Sequence, residues 1–364
     1  MKKSSNSLDI HRAIVSSIRI DHAGYTAIYD RLIEAYEEVG TSPVPICIHL
    51  SGETRTGKSC VVKDFLDNFL PEIREDGRRQ TVVYAVAPAK GTIKSVLERL
   101  LQGLGDPYWN RGTESNQTGR LLHLLKAVDC KMIVLDEFQH LADKSQKFKL
   151  SLVSDWLKTL VDTNDFGLIA VGLPTSKSVI NANAQLAARF DATLTMPLFD
   201  WRDAALRVQF KGLLQAFEKQ LHPFELPSLK VEDTAFRFFL ATSGRVGLLA
   251  KLMDRAVKNA IRSNTTKIRL EDLQAAFMTS IWYATKFPIK DGPFLCSSVL
   301  DTRDALAEQV TKMAAQEWVD DQSTPVAVVS MGGSAATDAN SVSSSLPPIP
   351  KTKKALKAEL AKAL

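Results

Sequence analysis

The residues best suited to chemistry run from Gly52 to Ser59, Gly52-Glu53-Thr54-Arg55-Thr56-Gly57-Lys58-Ser59, where two glycines bracket four residues and lysine and serine follow at once. Glycine at both ends permits a tight turn that aims successive backbone N–H groups at one point, and a helix starting there adds its positive dipole end. That is a cradle for a polyphosphate. In such a loop Glu53, Thr54, Arg55 and Thr56 supply the backbone, Lys58 reaches the outer phosphates of ATP and the Ser59 hydroxyl helps hold Mg²⁺. A second stretch, "KMIVLDEFQHL" (131–141), delivers two carboxylates at the end of an apolar run. Asp136 is placed to orient Mg²⁺, usually through water, and Glu137 to polarise an attacking water.

The elements that must position these residues are legible as alternating patterns. Residues 23–40 carry apolar side chains at helical spacing and end in glycine, so a helix with its stop is expected. Residues 43–52 read as a buried strand, 58–70 as a helix, 81–88 as a strand, 91–105 and 119–128 as helices, 131–137 as a strand, 148–163 as an amphipathic helix and 166–174 as a strand. Strands alternating with helices over 40–200 imply an α/β fold with a parallel sheet covered on both faces. From about residue 203 helical patterns dominate, notably at 203–221, 231–244, 245–263 and 270–284, which implies a smaller helical domain.

Composition sets the outer bounds. The 364 residues are 45% hydrophobic and 24% charged, as in ordinary globular proteins. No apolar run approaches the roughly 18 residues of a membrane span, and the start lacks the apolar core of a secretory signal. A cytoplasmic protein is expected. Cys47, Cys60, Cys130 and Cys296 show no metal-ligand spacing, so neither zinc nor disulfide is expected. The net charge of +5 is concentrated in the last fourteen residues, whose five lysines and one glutamate carry +4 and leave +1 for the rest. Net charge therefore gives no argument for nucleic acid; local basic stripes must do so.

With these motifs in place, the sequence resembles the AAA+ ATPases, and among them the TniB/TnsC-type transposition ATPases related to the phage Mu target-selection protein MuB. The resemblance spans about residues 15–285 and rests on the phosphate loop, on "VLDEFQHL" and on "FGLIAVGLPTSKSVINANAQLAARFDATLTMPLFDW" (166–201). It implies an AAA+ P-loop NTPase fold with a parallel sheet core and a smaller C-terminal helical lid domain. It also implies that Arg189 acts as an arginine finger on a neighbouring subunit's γ-phosphate, and that Arg245 is the sensor arginine of the lid. Guanidinium suits both roles, being always charged and fork-shaped. Thr175 or Ser176 would be the polar sensor between phosphate and water, although relatives often place asparagine there.

For DNA, the resemblance points to the insert after the second strand, where Lys90, Thr92 and Lys94 would meet phosphates. A basic stripe at Lys251, Arg255, Lys258 and Arg262, spaced four, three and four apart on one helical face, could meet DNA, a neighbour or water. Tyr108 and Trp109 read as part of a packed loop. The domain organisation expected is an N-terminal helical segment (1–40), the nucleotide-binding domain (41–202), the lid (203–290), a helical extension (291–320), a disordered linker (321–350) and a lysine-rich tail (351–364). The reading is an ATP- and Mg²⁺-dependent ATPase that forms a homo-oligomeric ring or helical filament on double-stranded DNA, with a DDE transposase and a target-selector protein as partners and no membrane. Its rivals are a replication-initiator or clamp-loader-like AAA+ protein and a nucleotide-switched signalling ATPase without DNA function.

Overall fold

The computed structural model describes residues 22–75, 77–89, 91–142, 147–162, 166–281, 283–297 and 302–321. In chain order the elements are α1 (Ala23–Glu38), β1 (Cys47–Ser51), α2 (Lys58–Leu66), β2 (Glu72–Arg74), β3 (Gly77–Arg79), β4 (Val82–Val86), α3 (Ile93–Gly103), α4 (Glu114–Ala127), β5 (Met132–Asp136), α5 (Lys147–Asp162), β6 (Gly167–Gly172), α6 (Lys177–Asn181), α7 (Ala184–Ala187) and β7 (Leu194–Thr195). The helices α8 (Ala204–Gln220), α9 (Glu232–Thr242), α10 (Val246–Arg262), α11 (Leu270–Ser280), α12 (Gly292–Leu295) and α13 (Arg303–Asp321) follow. No helix among the described residues is long and apolar enough to cross a membrane.

Five strands form a parallel sheet in the order β4-β5-β6-β1-β7. β1, β5 and β6 are buried along their whole length, which is why they read as continuous apolar runs, whereas the edge strand β4 exposes Tyr84 and Val86. Successive side chains serve opposite faces. Ile133, Leu135, Leu168 and Ala170 pack with Leu97, Leu100 and Leu157 beneath α3, α4 and α5. Ile48, Leu50, Val134 and Val171 pack with Leu32 of α1 and Val61 and Phe65 of α2. Ile28, Leu32 and Ala35 lie on one stripe of α1, and burying Ile28 and Leu32 stabilises the helix against the sheet by about 1.5–3 kcal/mol each.

The strand order decides where the motifs meet. β6 lies between β5 and β1, with Ser51 paired to Gly172 and Leu135 to Ala170. The residues after β1, β5 and β6 therefore emerge side by side at the carboxyl edge, the place where open parallel sheets bind ligands. A short antiparallel hairpin, β2 with β3, interrupts the alternation after α2 and has no counterpart in the sequence reading. Its three-residue strands carry little apolar signal, and Ile73 is 83% exposed.

The C-terminal helices share one apolar cluster that includes Phe210, Phe236, Phe239, Leu249 and Phe277. Phe199 and Trp201 from the preceding segment and Leu306, Val310 and Ala314 from α13 join it. α11 ends at Ser280 and not near residue 284 as the apolar spacing suggested, because a separate turn, Ala284–Lys286, takes over. The lysine-rich tail (351–364) and the linker (321–350), except for Asp321, which ends α13, lie outside the described residues.

One joint is built around a glycine. Between α9 and α10, Ser243 and Gly244 both adopt positive φ (49° and 68°), and a Cβ on Gly244 would stand 2.0 Å from the carbonyl oxygen of Phe199. Gly244→Ala is expected to lower stability by about 3 kcal/mol, since left-handed strain and a backbone clash add. Gly40→Ala, at φ 86° with nothing within 4 Å, should cost only about 1 kcal/mol. Thermal unfolding of the two variants checks the difference; equal losses would refute the role of the Phe199 contact.

Candidate functional site

The phosphate-loop motif forms the turn from β1 into α2. Arg55 and Gly57 take positive φ (64° and 108°), and Gly57 starts the helix without a side-chain cap or an acidic residue in its first turn. Thr56 Oγ1 donates to the Glu53 carbonyl (2.8 Å), and a Cβ on Gly52 would meet Met196 at 2.9 Å, so the loop folds tightly against the β7 segment. Lys58 Nζ donates to the carbonyls of Gly52 (2.6 Å) and Glu53 (2.8 Å). Burial pulls the Lys58 pKa down, while Glu137, Asp136 and Glu53 act in the opposite direction. Its ammonium thus sits within the field of the two carboxylates that the sequence placed far away.

Asp136 ends β5 almost fully buried. Its Oδ1 accepts from the Glu137 amide (2.7 Å) and its Oδ2 from the Tyr84 hydroxyl (3.1 Å). Burial raises the Asp136 pKa, and the two hydrogen bonds oppose that rise. Tyr84 was not singled out from the sequence; its place on the neighbouring strand makes the contact. Glu137 follows at φ 54°, a left-handed conformation that turns its side chain away from the strand direction. Its Oε2 accepts from Gln139 Nε2. Gln139 Oε1 in turn accepts from the Leu173 amide (3.0 Å) beyond β6, so Gln139 also belongs to the site.

Ser59 is exposed in the first turn of α2. Its hydroxyl and the Asp136 carboxylate are hard oxygen donors, and among the described residues no cluster of three His, Cys, Asp or Glu side chains could enclose a metal. That donor set suits Mg²⁺, which keeps waters and takes its remaining ligands from phosphates.

Arg245 caps the approach from the helical region. It is only 3% exposed, and its Nη1 donates to Ser243 Oγ (3.1 Å) and to the Ser243 carbonyl (3.5 Å). Among the described residues no carboxylate lies within ion-pair distance of it. Burial lowers its pKa, while Tyr283 and Glu53 raise it. Two residues on, the Gly247 amide at the start of α10 donates to the Arg55 carbonyl (2.8 Å), so helix and loop touch directly.

Arg189 is not brought to this edge. Its Nε stands 3.0 Å from Asp162 Oδ1 at the end of α5, and the next residue, Phe190, bridges to Cys47 at the start of β1. The phosphate loop leaves the other end of that strand, about 13 Å away. Ser176, one of the two sensor candidates, turns inward: its Oγ donates to the Leu173 carbonyl (2.5 Å) and lies 2.8 Å from His49 Nε2, which corrects its expected role, because the hydroxyl is already engaged in the core. Thr175 stays exposed.

Of the DNA candidates, Thr92 is the N-cap of α3, accepting from the Ser95 amide (3.2 Å), and Lys94 is exposed in the first turn of that helix. Lys90 lies outside the described residues. The α10 stripe divides: Lys258 pairs with Asp254, whereas Lys251 has its pKa lowered by burial and by the nearby Arg55 and Arg255. Tyr108 and Trp109 sit in a loop held by Arg120, which bonds Asp106 (2.7 Å) and the Tyr108 carbonyl (2.6 Å).

Against known proteins, the sequence matches the family described as "Bacterial TniB protein" over residues 12–203. No curated protein matches it. Among solved structures the chain is similar to the ORC2 protein of Aeropyrum pernix in its ADPNP–ADP complexes, with a TM-score of 0.52, 14% identity and coverage of 77% of this chain and 75% of that one. It is similar to the Aeropyrum pernix ORC1 protein in complex with DNA (TM-score 0.53, 16% identity, 73% and 68% covered). Cdc6p from Pyrobaculum aerophilum is a third (TM-score 0.52, 14% identity, 83% and 82% covered). At these identities the likeness is one of fold, the AAA+ phosphate-loop NTPase fold with a helical C-terminal region.

Proposed function

Because the chain belongs to the bacterial TniB family, we propose that it is a Mg²⁺-dependent AAA+ ATPase of the cytoplasm that oligomerises on double-stranded DNA and recruits or activates a DDE transposase. The observation that carries the ATPase part is the convergence at one sheet edge of the Gly52–Ser59 loop, the Asp136–Glu137 pair and the buried Arg245, which has no carboxylate within ion-pair distance among the described residues. A guanidinium held out of water without an acid partner is costly unless an anion supplies the missing charge. The γ-phosphate of a nucleotide is such an anion.

In this reading the loop amides and Lys58 hold the phosphates, and the Gly247–Arg55 contact lets the helical region sense the loop's conformation. Ser59 and Asp136 would hold Mg²⁺, which supplies charge neutralisation between the outer phosphates when bound. Glu137 accepts the hydrogen bond of the attacking water and orients it in line. Arg189, remote from its own Lys58, completes a neighbour's site. Glu53, Thr54, Arg55 and Thr56 contribute backbone groups to the cradle. The transposase and a target-selecting protein rest on the family assignment, as does the choice of transposition over replication initiation. DNA as a ligand draws support from the ORC1 relative seen in complex with DNA.

Electron microscopy and DNA binding with and without ATP test the proposal: ring or filament assembly on duplex DNA should need ATP and vary little with base sequence. Affinity should fall steeply with salt, because phosphate contacts release counterions. Lys90→Ala with Lys94→Ala should reduce the slope of log affinity against log salt by about 1–2. An unchanged slope would move the DNA contact to the Lys251 and Arg255 side of α10. Tight binding to one particular sequence would instead favour an initiator.

A further inference from the structure

A line of hydrogen bonds crosses the sheet from the segment that carries Arg189 to the carboxylate of Glu137. At its far end Thr193 Oγ1 lies 3.1 Å from His49 Nδ1, and His49 Nε2 lies 2.8 Å from Ser176 Oγ. Ser176 Oγ donates to the Leu173 carbonyl (2.5 Å). The amide of the same Leu173 donates to Gln139 Oε1 (3.0 Å), and Gln139 Nε2 donates to Glu137 Oε2. Gly172 leaves the room this needs, since a Cβ there would stand 2.7 Å from Gln139 Oε1 and 3.0 Å from Ser176.

The polarity of the line is determined. Burial and the nearby Lys177 pull the His49 pKa down to about 4, so the imidazole is neutral at pH 7 and carries one N–H. Ser176 spends its proton on Leu173 and must accept, which puts the His49 proton on Nε2 and makes Nδ1 the acceptor for the Thr193 hydroxyl. His49 is 1% exposed and Ser176 fully buried, so a broken link leaves a polar group unpaired away from water. The segment at the other end is held at two further points: the Asp191 amide donates to the Cys47 carbonyl (3.0 Å) and Asp191 Oδ2 accepts from Arg31 (2.6 Å).

We propose that Gln139 is a positioning residue for Glu137, and that the line Thr193–His49–Ser176–Leu173–Gln139 transmits the placement of the Arg189-bearing segment to that carboxylate. The proposal rests on the roles given above to Glu137 and Arg189 and adds regulation to them. When a neighbour's nucleotide draws Arg189 away from Asp162, the attached residues through Thr193 shift, and the subunit that lends its arginine has its own Glu137 re-aimed. Turnover at successive sites is thereby coupled without a contact between nucleotides.

The test uses the full-length protein assembled on linear duplex DNA and measures kcat and KM for ATP in Gln139→Leu, Thr193→Val, Ser176→Ala and the double variants with Gln139→Leu. Gln139→Leu should lower kcat by about 10-fold or more with KM changed by less than about 3-fold, as expected for loss of an interaction that acts on the water-orienting group and not on nucleotide binding. Thr193→Val and Ser176→Ala should each lower kcat by about 3-fold alone and by nothing further in the Gln139→Leu background, because the line is already cut. Thr193 and Gln139 share no hydrogen-bond partner, so for that pair a merely structural role predicts fold-changes that multiply, whereas Ser176 and Gln139 lie close together and report only on the link between them. Multiplying effects in an active protein, or a raised KM with normal kcat, would overturn the line alone. A wild-type protein that binds ATP on DNA and never hydrolyses it would overturn the ATPase reading together with this inference. Should Gln139→Leu fail to fold, Gln139→Met, which keeps the length of the side chain and removes both hydrogen-bonding groups, replaces it in the cycle with Thr193→Val: non-multiplying effects support the line and multiplying effects refute it.

Discussion

Mixing Glu137→Gln protein with Arg189→Ala protein is expected to restore ATP turnover that neither variant has alone. Glu137→Gln keeps the side-chain shape and its Gln139 contact but removes the charge that orients water, so hydrolysis should fall by about 10²–10⁴-fold while ATP stays bound. Long-lived assemblies on DNA follow. Arg189→Ala should lose about 10³-fold or more, because an arginine finger neutralises charge on the transferring phosphoryl group. It should also loosen assembly, since the same side chain bridges subunits. The expectation that Arg189 acts across an interface draws on its position: paired with Asp162 and attached to the start of β1, it lies at the opposite end of the sheet from its own Lys58. In a mixed assembly, some sites combine the intact Glu137 of an Arg189→Ala subunit with the intact Arg189 of a Glu137→Gln neighbour. Steady-state ATPase rates over a titration of the two variants measure this. A mixture that stays inactive despite demonstrated co-assembly would leave Arg189 as the structural partner of Asp162.

Lys58→Ala should abolish nucleotide binding and, with it, assembly on DNA. Lys58 is the one side-chain cation that the loop itself places against its backbone, within the field of Asp136 and Glu137. Removing it leaves the phosphates facing two carboxylates, so a loss in ATP affinity of about 10²-fold or more is expected. Calorimetric titration with ATP checks the value, and wild-type affinity would sink the phosphate-loop assignment. The sign of the Lys58 shift adds a pH arm. Burial holds its pKa below that of a free lysine, so its positive charge is lost earlier on the alkaline side. ATP affinity should therefore decline at a lower pH than an exposed lysine would give.

Much of this molecule could be read before it was folded. The phosphate loop announces itself because its requirements are local: Gly57 must take a positive φ, Lys58 and Ser59 must open a helix, and all lie within eight residues. The buried strands were legible for a similar reason, since residues covered on both faces have no polar alternation to display. The hairpin Glu72–Arg79 was not, because a short exposed ribbon needs no apolar pattern. Ser176 was misread because a hydroxyl beyond a strand looks the same whether it faces a ligand or the core.

By itself, then, the sequence determined the main buried strands and the longer helices, the loop that would hold phosphate and the carboxylates that would serve it, all properties set by side-chain type and spacing along a few turns of chain. Tertiary structure alone decided that β6 enters between β5 and β1, and that choice puts Leu173 beside Gln139. It likewise decided that Tyr84 reaches Asp136, that Arg245 is buried without an acid, and that His49 joins Ser176 to Thr193. These pairs span 34 to 144 positions in the chain. Periodicity reports which face of an element is buried; which partner waits on that face depends on strand order and register, and those are fixed by the packing of the whole sheet.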